Sequence, residues 1–119
     1  MWRVATRLPT QDLDRARAFY RDVLGLEPAE EREGGLLYKL DDTEFALFES
    51  AGQAKGEFTQ MGLYVDDIET VVATARERGA EVEGIVDVPG NYPSKGSGER
   101  AAWLRDSEGN LIGLSELVP

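Results

Sequence analysis

Cysteine and histidine are both missing from this chain of 119 residues. The first absence excludes a disulfide scaffold. The second removes His-based triads, imidazole proton shuttles and imidazole metal ligands, so any site must be built from carboxylates, Tyr, Lys, Arg, Ser, Thr or backbone groups. Long hydrophobic runs are missing too. The longest span three or four residues, far short of the roughly 20 that a bilayer requires, and with no cleavable signal in view a cytoplasmic location is expected. Basic residues are scarce: 13 Lys and Arg stand against 23 Asp and Glu, a net charge of −10. That charge repels phosphate backbones and anionic headgroups, which argues against nucleic acid and membranes as partners. Solubility is its ordinary role, and attraction of a cationic ligand is the more specific one.

What is present suits a globular domain, with 41% hydrophobic and 30% charged residues. A chain of this length buries roughly two-thirds of its unfolded surface, enough for a core without staples. The expectation is a single domain, 1–119, of two modules, about 1–52 and about 58–119. The basis is a repeat at about 55 residues. Val4-Ala5-Thr6-Arg7-Leu8 runs into Asp12-Leu13-Asp14 and a helical pattern, and Met61-Gly62-Leu63-Tyr64-Val65 runs into Asp67-Ile68-Glu69 and another. Ala16, Phe19, Tyr20, Val23 and Leu24 share one helical face; Ile68, Val71, Val72 and Ala75 share another. Asp12 opens the first helix and Asp66 or Asp67 the second, while Gly25 and Gly79 suit left-handed stops.

Strand patterns follow each helix: Leu36 to Leu40 and Glu44 to Glu49 in the first half, Ala101 to Arg105 and Leu111 to Leu114 in the second, with shorter candidates at Ala29 to Arg32 and Val82 to Val86. Each half therefore reads strand, helix, strand, strand, strand. Two prolines and three glycines between Pro89 and Gly98 predict a loop there. Its glycine-rich end is a weak phosphate cradle, because it leads into a strand and not a helix.

The tandem pattern, with Asp12-Leu13-Asp14-Arg15-Ala16-Arg17-Ala18-Phe19-Tyr20, Val23-Leu24-Gly25-Leu26, Tyr64-Val65-Asp66-Asp67-Ile68 and the segment Arg105 to Leu114, resembles the vicinal oxygen chelate superfamily. That superfamily takes in glyoxalase I, extradiol dioxygenases and bleomycin resistance proteins, and the likeness runs from Val4 to about Glu116. It implies an α+β fold in which two tandem βαβββ modules form a curved mixed sheet around a cup, helices on the outer face, usually in a homodimer. Metal-dependent members take ligands, typically His or Glu, from the first and last strand of each module. Carried onto this sequence those positions hold Ala5, Ala46 or Phe48, Gln60 and Gly113. Only Gln60 offers a donor, a weak neutral amide. Neither a metal nor another cofactor is expected, and Glu49 and Glu116 are the reserve carboxylates.

Strand alternation supplies an independent reading of the lining. Phe45 and Leu47 share one face, leaving Ala46 and Phe48 for the cup; Ile112 and Leu114 oppose Gly113 and Ser115. A slip of one residue would turn Glu49 inward. Arg3, Ala5 and Arg7 line the first strand, Gln60, Gly62 and Tyr64 its counterpart, and Trp103 shares a face with Ala101 and Arg105. Tyr92 reaches over the rim. The candidate ligand-binding set is Arg7, Phe48, Gln60, Tyr64, Tyr92, Trp103 and Arg105. For Trp103 and Phe48 the competing assignment is core filling. Arg7 is expected to meet a carboxylate such as Glu49, with a ligand anion as the alternative. The acidic pairs Glu30-Glu31 and Asp41-Asp42 read as solvated turns and edges without a site role.

Three functions fit. The leading one is a metal-free protein that binds a hydrophobic or aromatic small molecule, a metabolite or antibiotic, as the likeness to bleomycin resistance proteins implies. The second is a lyase, isomerase or dioxygenase with a displaced or non-metal active site, lactoylglutathione lyase-like or dioxygenase-like. The third is a non-catalytic dimeric interaction module with a filled cup.

Overall fold

The computed structural model describes residues 1–54, 56–90 and 92–119; Lys55 lies outside the described residues, as does Asn91 within the predicted loop. The fold is α+β, two tandem βαβββ modules, each with its own mixed four-stranded sheet. By contacts the chain divides into two compact units, Met1–Gly56 with Asp106–Asn110, and Glu57–Arg105 with Leu111–Pro119.

In the first unit, β1 (Thr6–Thr10), β2 (Glu30–Arg32), β3 (Gly35–Leu40) and β4 (Thr43–Glu49) take the order β1-β4-β3-β2. β1 runs parallel to β4, and the other pairs are antiparallel. The first strand begins two residues later than the sequence pattern suggests, so Arg3 and Ala5 precede the sheet and are exposed. Met1, Trp2 and Val4 are exposed as well, so no packed face holds that segment in the ladder. Pro9 is tolerated because β1 is an edge strand.

Helix α1 (Leu13–Leu24) starts where the Asp12 side chain accepts from the Arg15 amide and stops at Gly25, whose φ of 71° is left-handed. It buries Ala16, Tyr20 and Val23, while Phe19 and Leu24 stay half-buried. Across from it lie Leu8, Leu36, Tyr38, Phe45 and Leu47. Tyr38 stacks on Phe45 with centroids 4.8 Å apart, and burial pushes its hydroxyl up to about 12.

The segment Asp106–Asn110 clusters with this unit and not with the strands that flank it. Asp106 accepts from the Tyr20 hydroxyl at 2.7 Å, from the amides of Glu108 and Asn110, and from the Asn110 side chain. Glu108, fully buried, accepts from the amides of Gln11 and Asp12 and pairs with Arg15 at 2.7 Å. Burial pushes the Glu108 carboxyl up, but bonds from Arg15, the two amides and the Ser107 hydroxyl together outweigh it and hold it at about 2.

In the second unit, β5 (Met61–Tyr64), β6 (Val82–Pro89), β7 (Gly98–Arg105) and β8 (Leu111–Val118) take the order β5-β8-β7-β6. β6, β7 and β8 are longer than the sequence pattern indicates. Pro89 pairs with Gly98, so the predicted loop shrinks to 90–97, with a 3-10 turn at Pro93–Lys95. Helix α2 (Ile68–Glu77) is capped by Asp67, not Asp66, and ends at Arg78, with Gly79 at a φ of 95° just beyond. It buries Ile68, Val72 and Ala75.

Candidate ligand-binding site

The pleat assigns each side chain of the first sheet to a face. Leu8, Leu36, Tyr38, Phe45 and Leu47 face α1. The register then aligns two rows on the opposite, open face: Arg7–Ala46–Leu37–Glu30 and Pro9–Phe48–Gly35–Arg32. A concavity of about 270 Å³ lies here, lined by Arg7, Arg32, Gly35, Leu37, Ala46 and Phe48, and edged by Glu30 and Glu31. Its floor is apolar and its two ends are charged.

Arg7, Ala46 and Phe48 lie on this face, as the alternation predicts, but the expected pairing of Arg7 with Glu49 is not made. Arg7 does not meet Glu49; it makes no ion pair among the described residues. Glu49 lies opposite Thr10 and has the parity of Phe45 and Leu47, so the pleat sends it to the other side of the sheet, where it is exposed. Glu30 and Glu31 are exposed on the edge strand β2, as the sequence predicts, and border the concavity. Both are already paired, Glu30 with Lys39 at 2.9 Å and Glu31 with Arg17 at 2.5 Å. Arg32 donates to the Glu33 carbonyl at 2.8 Å and makes no carboxylate pair among the described residues. Its guanidinium covers Gly35, where a Cβ would lie 3.1 to 3.3 Å from Cζ, Nε and Nη2. Arg32, Gly35 and Leu37 were missed; extending the alternation of β4 across β3 to β2 is the signal that finds them.

The remaining candidates lie in the second unit. On its open face Gly62, Gly113 and Trp103 form one row, and Tyr64, Ser115 and Ala101 the next. Trp103 is half-buried and donates to the Thr59 hydroxyl at 3.2 Å. Neither Trp103 nor Phe48 is among the fully buried side chains. Tyr64 is 59% exposed, with the Lys95 ammonium 5.4 Å from its ring centroid. Tyr92 is 75% exposed, and Arg105 is exposed opposite Leu111.

The residues at the family's ligand positions do not fit a divalent cation. The backbone N–H of Gln60 donates to the Leu111 carbonyl at 2.9 Å and its side-chain Oε1 accepts the Leu111 amide at 3.2 Å, so the oxygen that could ligate is engaged with the sheet. Gly113 has no side chain to offer a donor, and the Thr59 methyl and the Trp103 ring nitrogen stand 3.2 and 3.7 Å from where its Cβ would lie. Ala5 and Ala46 carry no lone pair. Glu116, a reserve ligand, accepts instead from the Ile68 amide at 2.9 Å and caps α2. No group of three carboxylates suited to a metal occurs among the described residues.

Solved structures share the architecture. A bleomycin-binding protein complexed with bleomycin is 21% identical, with 98% of this chain and 98% of that chain covered and a TM-score of 0.71. TnmS3, an antibiotic binding protein from Streptomyces sp. CB03234, is 23% identical, with 98% of both chains covered and a TM-score of 0.69. A lactoylglutathione lyase from Agrobacterium tumefaciens is 24% identical, covering 97% of this chain and 92% of that chain, with a TM-score of 0.69. At such identities the likeness is one of fold, and it takes in binding proteins and an enzyme alike. No curated protein matches the sequence. With its two βαβββ modules, and with residues 3–114 matching the family model, this chain belongs to the Glyoxalase/Bleomycin resistance protein/Dioxygenase superfamily.

Proposed function

We propose that this chain is a metal-free small-molecule-binding protein that sequesters a hydrophobic or aromatic metabolite or antibiotic. The observation that carries the reading is the concavity on the first sheet, where Phe48, Leu37 and Ala46 form an apolar floor beside the Arg7 guanidinium. Its volume of about 270 Å³ suits one or two fused rings. Side chains held on paired strands keep their places before the ligand arrives, so little ordering entropy is spent on binding. Gln60, Tyr64, Tyr92, Trp103 and Arg105 belong to the same proposal as contacts of the second unit, and so does a homodimer, which light scattering after gel filtration reads directly.

A broad panel of aromatic natural products, screened by thermal shift and Trp emission, tests it. A ligand present at 100 times its Kd adds about 2.7 kcal/mol to stability and raises Tm. Silence across the panel overturns the reading. So does stoichiometric zinc, nickel, manganese or iron in the purified protein, which favours the lyase or dioxygenase alternative.

A further inference from the structure

We infer that the open face of the first sheet selects an organic anion, a flat apolar body bearing a carboxylate that seats on Arg7. This rests on the proposal above that the face is a ligand site, and adds the charge class of what it takes.

Four charged residues border the concavity, Arg7, Arg32, Glu30 and Glu31, of which Glu31 lies opposite Leu36 and turns its carboxylate to the α1 side. Both carboxylates are committed to cations, Glu30 to Lys39 and Glu31 to Arg17. Neither guanidinium makes an ion pair among the described residues. Glu44 shares this face, opposite Lys39, so what distinguishes the concavity on a chain of net charge −10 is two guanidiniums without an ion pair among the described residues.

The two scales of charge make opposite demands, since the whole chain repels anions and the concavity attracts them. Distance decides between them. Charges farther away than about 8 Å are largely screened at physiological ionic strength, so the contacting guanidiniums outweigh the distant carboxylates. The attraction of a cationic ligand, which the overall charge suggests, therefore fails at this face.

The two arginines are not equivalent. Arg32 is tied to the Glu33 carbonyl and lies over Gly35. Arg7 stands on the opposite edge strand, three strand spacings or about 14 Å away. It has its whole donor fork to offer, which matches a carboxylate in a bidentate geometry. Ala46 and Leu37, next in the row from Arg7, leave a shallow apolar track for the ligand's rings.

Matched probes separate charge from shape. Calorimetric titration with 2-naphthoate, 2-naphthamide and 2-naphthylmethylammonium at pH 7 is expected to rank them in that order, the carboxylate at least about tenfold tighter than the amide. In Arg7→Gln the carboxylate-to-amide ratio falls to within about twofold, with the circular dichroism spectrum retained. If that variant does not fold, Arg7→Lys serves: it keeps the charge, loses the fork, and is expected to fall between the two. Methyl resonances of Ala46 and Leu37 shift on addition of naphthoate. Equal affinity for carboxylate and amide, a ratio unchanged in Arg7→Gln, or shifts confined to other residues overturns the inference while leaving small-molecule binding intact. Failure of all three probes together with silence in the broad panel overturns the binding reading itself.

Discussion

Glu108 shows how much one side chain outside any site decides. Its buried carboxylate takes two backbone amides ahead of α1 and the Arg15 guanidinium, and the Ser107-Glu108-Gly109 sequence reads only as a turn. The partners lie 93 to 97 positions away in the chain, so no local pattern marks them. Replacing it, Glu108→Gln, is expected to cost about 1–3 kcal/mol at pH 7, nearer the lower end because the exposed Arg15 regains water. The folded carboxyl sits near 2, below its ordinary value. Its contribution is therefore complete above the ordinary carboxylate range and disappears as pH falls through about 2. Urea midpoints of the two proteins should accordingly converge between about pH 4.5 and 2; a constant gap contradicts the assignment.

At the scale of elements, local chemistry and alternation carry most of the information. Asp12 and Gly25 bound α1 as the sequence suggests, because a cap is decided by residues within one turn. Alternation sorts Phe45 and Leu47 from Ala46 and Phe48 for the same reason: the pleat has a period of two. Strand ends are less legible. β8 runs to Val118, four residues past the sequence expectation, because β7 pairs with it that far, from Arg105–Leu111 to Gly98–Val118. That extension sets Glu116 on α2's side of the sheet, where it receives the Ile68 amide. The change Glu116→Ala removes a second acceptor at the helix start and should lower stability by about 1 kcal/mol, measured as a urea midpoint. An unchanged midpoint means the amide finds water as readily.

For the molecule as a whole, a net charge of −10 on 119 residues makes self-repulsion a standing cost of folding. Raising sodium chloride from 0.01 to 0.15 M shortens the screening length from about 30 to 8 Å. Tm by calorimetry should therefore rise by a few degrees despite weaker exposed pairs such as Arg21–Asp22; a fall means those pairs dominate. The βαβββ repeat, the helix caps, the faces of the strands and the charge are properties of the sequence alone, because each depends on neighbours in the chain or on composition. The pairing of Glu30 with Lys39, the lack of an ion pair on Arg7 among the described residues and the meeting of Arg7, Phe48, Leu37 and Arg32 around one concavity were decided only by tertiary structure. Those residues come from four strands, and only the register, a long-range choice among alternatives of similar local fitness, sets which of them stand side by side.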